Sequence, residues 1–258
     1  MTFIASRDNP RVRRWRELTR DARARRRQGR AILEGENLIL AFLLSGRAVE
    51  SLMFSKSASS RSGSIALARQ SGKTPAVLAD SVFRSIVDIE TPAGMAAEIA
   101  IPPAAQNLKT ANACLFLDAI QDAGNVGTIL RSAMAFGIHR AVLGKGCADA
   151  WSPKVLRAAA GAHFCVQVTE NADLGEKMEE FSGKIVCTAP RGGVALSDAN
   201  LSGRIGWLLG AEGQGVSEAL AARASLKITI PMLGGTESLN VAAAAAICFY
   251  EHFRRAEV

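Results

Sequence analysis

Aromatic side chains are scarce, 5% of the sequence with a single tyrosine, which argues against a β-sandwich core built on large rings. Plentiful alanine and glycine suit helices packed closely on a sheet instead. The five cysteines (Cys114, Cys147, Cys165, Cys187, Cys248) show no CxxC and no Cys/His spacing. That pattern excludes a zinc site of ordinary ligand spacing and a disulfide framework, and it favours a reducing compartment. Several of these cysteines sit in apolar runs, where a thiol behaves as a small hydrophobe. No stretch reaches roughly 18 uncharged apolar residues, and no signal peptide is evident. A cytoplasmic protein with neither a membrane span nor a metal is therefore expected.

The 258 residues, 48% of them hydrophobic, are long for one domain and comfortable for two, with enough apolar surface for a core without staples. The net charge of +7 is unevenly placed: residues 1–30 hold 11 arginines against 3 acids. So steep a local excess is best matched by a polyanion such as RNA.

Asp8 to Arg27 reads as one helix after a turn at Asn9-Pro10, with Val12, Trp15 and Leu18 recurring at threes among arginines. Residues 31–46 read as a short strand running into a helix that stops at Gly46, and 49–55 as another strand. Residues 101–112, with Pro102-Pro103, are the best linker, so a small α/β domain over 1–103 precedes a second over 113–258. In the second, apolar runs at 113–120, 138–144, 164–168, 184–190, 205–210 and 226–232 alternate with helical patterns. This predicts an α/β fold with a mostly parallel sheet, whose ligands bind beyond the carboxyl ends of its strands.

Three of those strand ends carry more than connectors. In 117–137 a strand turns through Asp122 and Asn125 into a helix; a cap accounts for either of them, but Arg131 is placed early in that helix, where the macrodipole opposes it. In 205–220 Gly210, Gly213 and Gly215 let backbone approach a ligand. The spacing is not GxGxxG, and Glu212 would repel a pyrophosphate. In 228–253 Thr236 or Ser238 serves as a cap, whereas Asn240, expected one turn into the helix, is a poor helix former. The alanines at 242–246 imply close packing by a neighbouring helix, from this chain or from another copy.

In their order and spacing, DAGNVGTILRSAMAFG (122–137), LLGAEGQGVS (208–217) and IPMLGGTESLNVAAAAAI (230–247) resemble the three motifs of the SpoU/TrmH-like branch of the SPOUT RNA methyltransferases. RDNPRVRRWRELTR (7–20) and LEGENLILAFL (33–43) resemble the ribosomal-protein-like RNA-binding domain that often precedes them. The resemblance implies a C-terminal trefoil knot, S-adenosylmethionine as cofactor and a homodimer with its active site near the interface. It places cofactor contacts on Gly210, Ile230 and Leu239, with Thr188 and Gly213 beside them, and functional polar groups on Asn125, Arg131, Glu212, Ser238 and Asn240. Ala211 and Ala242 depart from the residues frequent at their positions. The implied reaction is methyl transfer to a ribose 2′-hydroxyl of ribosomal or transfer RNA. Arg131 would act as base or as an electrostatic clamp, and Glu212 would orient it or accept from a ribose hydroxyl. RNA phosphates would meet Arg11, Arg13, Arg14, Arg23, Arg25, Arg26 and Arg27.

Three alternatives stay open at this level. A non-catalytic RNA-binding module would use the basic segment without needing the polar set. A nucleotide-dependent oxidoreductase would need the phosphate fingerprint that is missing. A SPOUT enzyme acting on a base would keep fold and cofactor, and only the Ser238-Leu239-Asn240 resemblance argues for ribose.

Overall fold

In the computed structural model, which describes residues 2–104, 107–234 and 238–256, the arginine-rich stretch expected as one helix is two. Strand β1 (Thr2–Ile4) is followed by α1 (Pro10–Arg20) and α2 (Ala22–Gln28). Asp21 makes the break: its backbone is extended and its carboxylate accepts from the Arg23 N–H, capping the second helix. The first helix is thereby left with open carbonyls, and the Arg25 guanidinium turns back to donate to Leu18 O at 2.6 Å and Thr19 O at 3.0 Å. Arg25 is 4% exposed as a result. The expectation that it meets RNA is corrected: it closes a helix end inside the fold.

The rest of the first unit comprises β2 (Arg30–Glu34), α3 (Glu36–Leu44), β3 (Ser51–Ser55), α4 (Ser62–Ser71), β4 (Ala76–Leu78), α5 (Asp80–Phe83) and β5 (Met95–Ala100). Its sheet runs β1-β4-β3-β5-β2, with β5 antiparallel to both its neighbours. Val12, Trp15 and Leu18 bury the inner face of α1, as their spacing predicts.

One buried charge fixes that helix to the sheet. Glu98 accepts from Arg14 Nη2 at 2.6 Å and from the Trp15 indole N–H at 2.9 Å, at 1% exposure. Glu98→Ala would leave the indole N–H buried without an acceptor, while the half-exposed Arg14 recovers water. The expected cost is about 2–3 kcal/mol of stability, read as a lower urea midpoint at unchanged slope.

The second unit holds β6 (Ala113–Asp118), α6 (Ala123–Ala135) and β7 (Arg140–Gly144); the next helix, α7 (Pro153–Ala159), belongs elsewhere. There follow β8 (Gln167–Ala172), α8 (Leu174–Glu180), β9 (Lys184–Thr188), β10 (Val194–Ala195), β11 (Ile205–Gly210), α9 (Glu218–Ala221), β12 (Leu226–Thr229) and α10 (Val241–Ala256). Seven strands in the order β10-β12-β9-β11-β6-β7-β8 pair in parallel throughout. Strand β11 is buried along its whole length, as unbroken apolar runs in parallel sheets require. Helix α10 packs on α6 of the same chain, with Ala242 and Ala245 buried.

Residues 151–164, with α7, group with the first unit rather than with the sheet that surrounds them in sequence. Arg157 on α7 bonds Glu34 at 2.9 Å and Asp88 at 3.0 Å, and Phe164 packs edge-on against Phe42. Burial is the largest influence on Glu34 and raises its pKa. The run 164–168, read as a strand, therefore divides. Phe164 ends a 3₁₀ turn and serves as core, and β8 starts only at Gln167.

Candidate functional site

The carboxyl ends of β9, β11 and β12 surround a cavity of about 480 Å³ in the second unit. Apolar side chains form much of its wall, among them Ile228, Ile230, Met232, Leu239 and Val241, together with the backbone of Gly210, Gly213 and Gly215. Among the described residues, Glu212 is the only charged one in that wall.

Backbone contact shapes the loop after β11. A Cβ on Gly210 would lie 2.1 Å from Gly215 C and 2.2 Å from Gly215 O, so only glycine allows the loop to fold back on the strand end. Gly215 N–H then donates to Ala211 O at 2.8 Å, and Ser217 N–H donates to Asp118 Oδ2 at 2.9 Å. Asp118 was missed from sequence. Its signal was a carboxylate closing the apolar run of a parallel strand, at the end where ligands bind.

Three polar residues expected from separate motifs meet at the cavity's edge. Glu212 Oε1 accepts from Asn125 Nδ2 at 2.8 Å and from Asn240 Nδ2 at 2.7 Å, and Asn240 Nδ2 also reaches Asn125 Oδ1 at 3.0 Å. Asn240 is the cap of α10 rather than a residue one turn in, because its Oδ1 accepts from Ala242 N–H and Ala243 N–H. Asn125 is held in turn by Asp122, whose carboxylate accepts its backbone N–H at 2.8 Å.

Of the residues anticipated, Thr188, Gly210, Glu212, Gly213, Ile230, Ser238, Leu239 and Asn240 line the cavity, and Asn125 joins through Glu212 and Asn240. Ala189, Pro190, Met232 and Ala244 also line it, and nothing in their residue types announced them. Thr236, weighed as a cap, lies outside the described residues. Arg131 stands apart. It is exposed, absent from the cavity wall, and without a hydrogen bond or ion pair among the described residues. It lies past the middle of α6, well beyond the first turn in which the dipole opposes a cation, so the reading of a misplaced charge fails. Nor does Glu212 orient it, since that carboxylate holds the two amides.

Among the described residues no cysteine lines this cavity. Burial pushes the thiols of Cys114 and Cys248 up to about 12 and that of Cys147 to about 11, so they stay protonated at neutral pH. Cys165, unlike these, is exposed. Among the described residues no helix is long and apolar enough to cross a membrane, and no His, Cys, Asp or Glu cluster could hold a metal.

The cavity is a poor fit for a polyphosphate, because no cation lines it among the described residues, and a good fit for a nucleoside that is neutral or positively charged. Residues 112–250 match the SpoU rRNA Methylase family, and residues 9–97 match the MRM3-like substrate binding domain. The 23S rRNA (guanosine(2553)-2'-O)-methyltransferase RlmP of Bacillus subtilis (strain 168) is 34% identical over 257 residues, covering 98% of this chain and 100% of the relative. A crystal structure of an RNA 2'-O ribose methyltransferase, 25% identical, superposes with a TM-score of 0.82 and covers 100% of both chains. The methyltransferase AviRb from Streptomyces viridochromogenes, solved with AdoMet, gives a TM-score of 0.86 over 96% of this chain and 98% of its own; at 24% identity this is a likeness of fold. The chain belongs to the SpoU rRNA methylase family.

Proposed function

We propose that this protein is an S-adenosylmethionine-dependent methyltransferase that modifies a ribose 2′-hydroxyl in 23S rRNA, working as a homodimer in the cytoplasm. One observation carries the reading: an apolar cavity, with no cation among the described residues of its wall, is built on strand-end loops and closes against a polar cluster drawn from three distant motifs. When bound, S-adenosylmethionine supplies an electrophilic methyl group whose leaving thioether is neutral, so the donor brings positive charge to a cavity edged by Glu212. The backbone of Thr188, Gly210 and Gly213, with Ile230 and Leu239, would hold it. Asn125, Glu212 and Asn240 would keep the loop edges in register, and Ser238 would fix the incoming nucleotide. The segment 189–193 passes from β9 to β10 across β12, against whose backbone Gly193 sits closely. That crossing supports the trefoil knot which the resemblance implies.

The dimer reading rests on α10. Ile247 and Tyr250 are exposed at 41% and 52%, and Phe136 and Phe253 continue the apolar patch beside Tyr250. A second copy covering that patch would also give Arg131 something to act on: the cavity of the partner. A guanidinium offers five N–H donors and no acceptor, which suits it to hold an anionic oxygen rather than to take a proton. Its task would be to stabilise the oxygen as the hydroxyl proton passes to water, and to clamp an adjacent phosphate.

In the first unit, Arg11 stacks over Trp15 and Arg27 pairs with Glu17. Arg13, Arg20, Arg23 and Arg26 are exposed and Arg16 half-exposed, without ion pairs among the described residues. Arg13, Arg16 and Arg20 recur at three and four along one face of α1, lining a shallow groove. Neutralising those three should flatten the dependence of log K on log salt by about 0.7–0.9 for each phosphate that they no longer neutralise; an unchanged slope would remove α1 from the RNA interface. The activity itself is tested by mapping 2′-O-methyl positions in total RNA with and without the protein, alongside calorimetry of S-adenosylmethionine binding. A missing ribose methylation in 23S rRNA is expected. A missing base methylation, or no cofactor binding, would overturn the reading.

A further inference from the structure

We propose that Arg191, which lies outside both the cavity wall and the polar cluster, is a substrate-positioning residue that takes a phosphate of the RNA strand at the mouth of the cofactor cavity. This rests on the RNA-methyltransferase reading and adds a contact to it. Thr188, Ala189 and Pro190 line the cavity, and Arg191 is the next residue. Its side chain is exposed, with neither hydrogen bond nor ion pair among the described residues.

The strap that carries it is fixed at both ends to one strand. Ala189 N–H donates to Ile228 O at 2.9 Å and Gly193 N–H donates to Thr229 Oγ1 at 3.0 Å. A Cβ on Gly193 would lie 2.6 Å from the Ile228 carbonyl carbon, so the return of the strap is seated on the β12 backbone. Pro190 stiffens the tip by fixing its own φ. A backbone held this way limits where the side chain can reach, so the ordering left for binding is that of the arginine's own rotamers.

Two features point to RNA outside the cavity rather than to the cofactor within. Arg191 is not among the lining residues although its predecessor is, so its backbone leaves the cavity wall there and its side chain starts beside the rim. Glu212, the one charge among the described residues of the wall, is engaged by two amides and does not neutralise it. A guanidinium fork at the rim of a nucleoside cavity matches a phosphate flanking the nucleotide that enters.

The test uses the full chain, Arg191→Ala and Arg191→Lys, an unmethylated 23S rRNA transcript and S-adenosylmethionine. For the alanine variant, KM for the transcript should rise about tenfold and the salt slope of RNA binding should fall by about 0.7–0.9, as expected for one charge-assisted phosphate contact. The kcat at saturating RNA and the cofactor Kd should not move. Lysine should restore most of the salt slope, because a point charge still neutralises a phosphate, and less of the KM, because the fork is gone. A weakened cofactor Kd with normal RNA binding would overturn the proposal and assign Arg191 to the carboxylate of the donor. Unchanged KM and slope would overturn it in favour of a solvated side chain. If the unaltered protein bound the transcript but methylated nothing, the activity reading would fail, while the salt slopes would still judge Arg191.

Discussion

Arg131→Ala is expected to lower methyl transfer by about 10²–10³-fold, the scale of losing one preorganised electrostatic donor, while S-adenosylmethionine binds with its original affinity. The cofactor half of that expectation follows from geometry: Arg131 is no part of the cavity wall and touches none of Asn125, Glu212 and Asn240. The catalytic half follows from the proposed dimer, in which the exposed guanidinium serves the cavity of the other copy. Single-turnover transfer to the 23S transcript and calorimetry of the cofactor separate the two halves. Activity within about tenfold of the unaltered protein would end the central role of Arg131. Co-expression with a cavity-defective chain decides between cis and trans. If Arg131 acts across the interface, mixed dimers recover one working site in two, about a quarter of full activity on random pairing. If it acts within its own chain, nothing returns.

Gly210→Ala is the natural cavity-defective partner and has the second large effect. The added methyl meets the carbonyl carbon and oxygen of Gly215 and the nitrogen of Val216, all backbone and all within 2.2 Å. No rotamer relieves that overlap, so either β11 shifts or the loop 211–215 opens. Overpacking of this kind costs about 1–3 kcal/mol, and an open loop also separates Glu212 from Asn125 and Asn240. If the whole cost fell on the cofactor, its affinity would drop by about 5- to 150-fold. Calorimetry reads that directly, and thermal unfolding reads any remainder. Unaltered cofactor binding would mean that the glycine loop is not part of the donor site.

Legibility from sequence followed the range of the interaction. The parallel strands were readable because each is an apolar run long enough to cross a covered sheet, and β11 was found at its true bounds. The break at Asp21 was not, since periodicity on either side continues undisturbed and the residue that interrupts it acts through one local hydrogen bond. Asn240 was noticed for being a poor helix former, a correct observation with an incomplete reason: it both caps α10 and bridges to Glu212. Arg131 was noticed for opposing a dipole that the true helix bounds show it does not oppose.

Residue type and order alone determined the layered α/β architecture, the concentration of positive charge at the front of the chain, and the three glycine- and amide-bearing loops, because these depend on periodicity, local turn chemistry and net charge. Tertiary structure decided which of those residues meet. Asn125, Glu212 and Asn240 lie 87, 28 and 115 positions apart in their pairings, and a hydrogen bond at such separation exists only once parallel strands have brought their ends side by side. The same packing withdrew Arg25 from the surface, moved residues 151–164 to the first unit and left Arg131 facing solvent, outcomes set by which backbone groups needed partners rather than by any pattern along the chain.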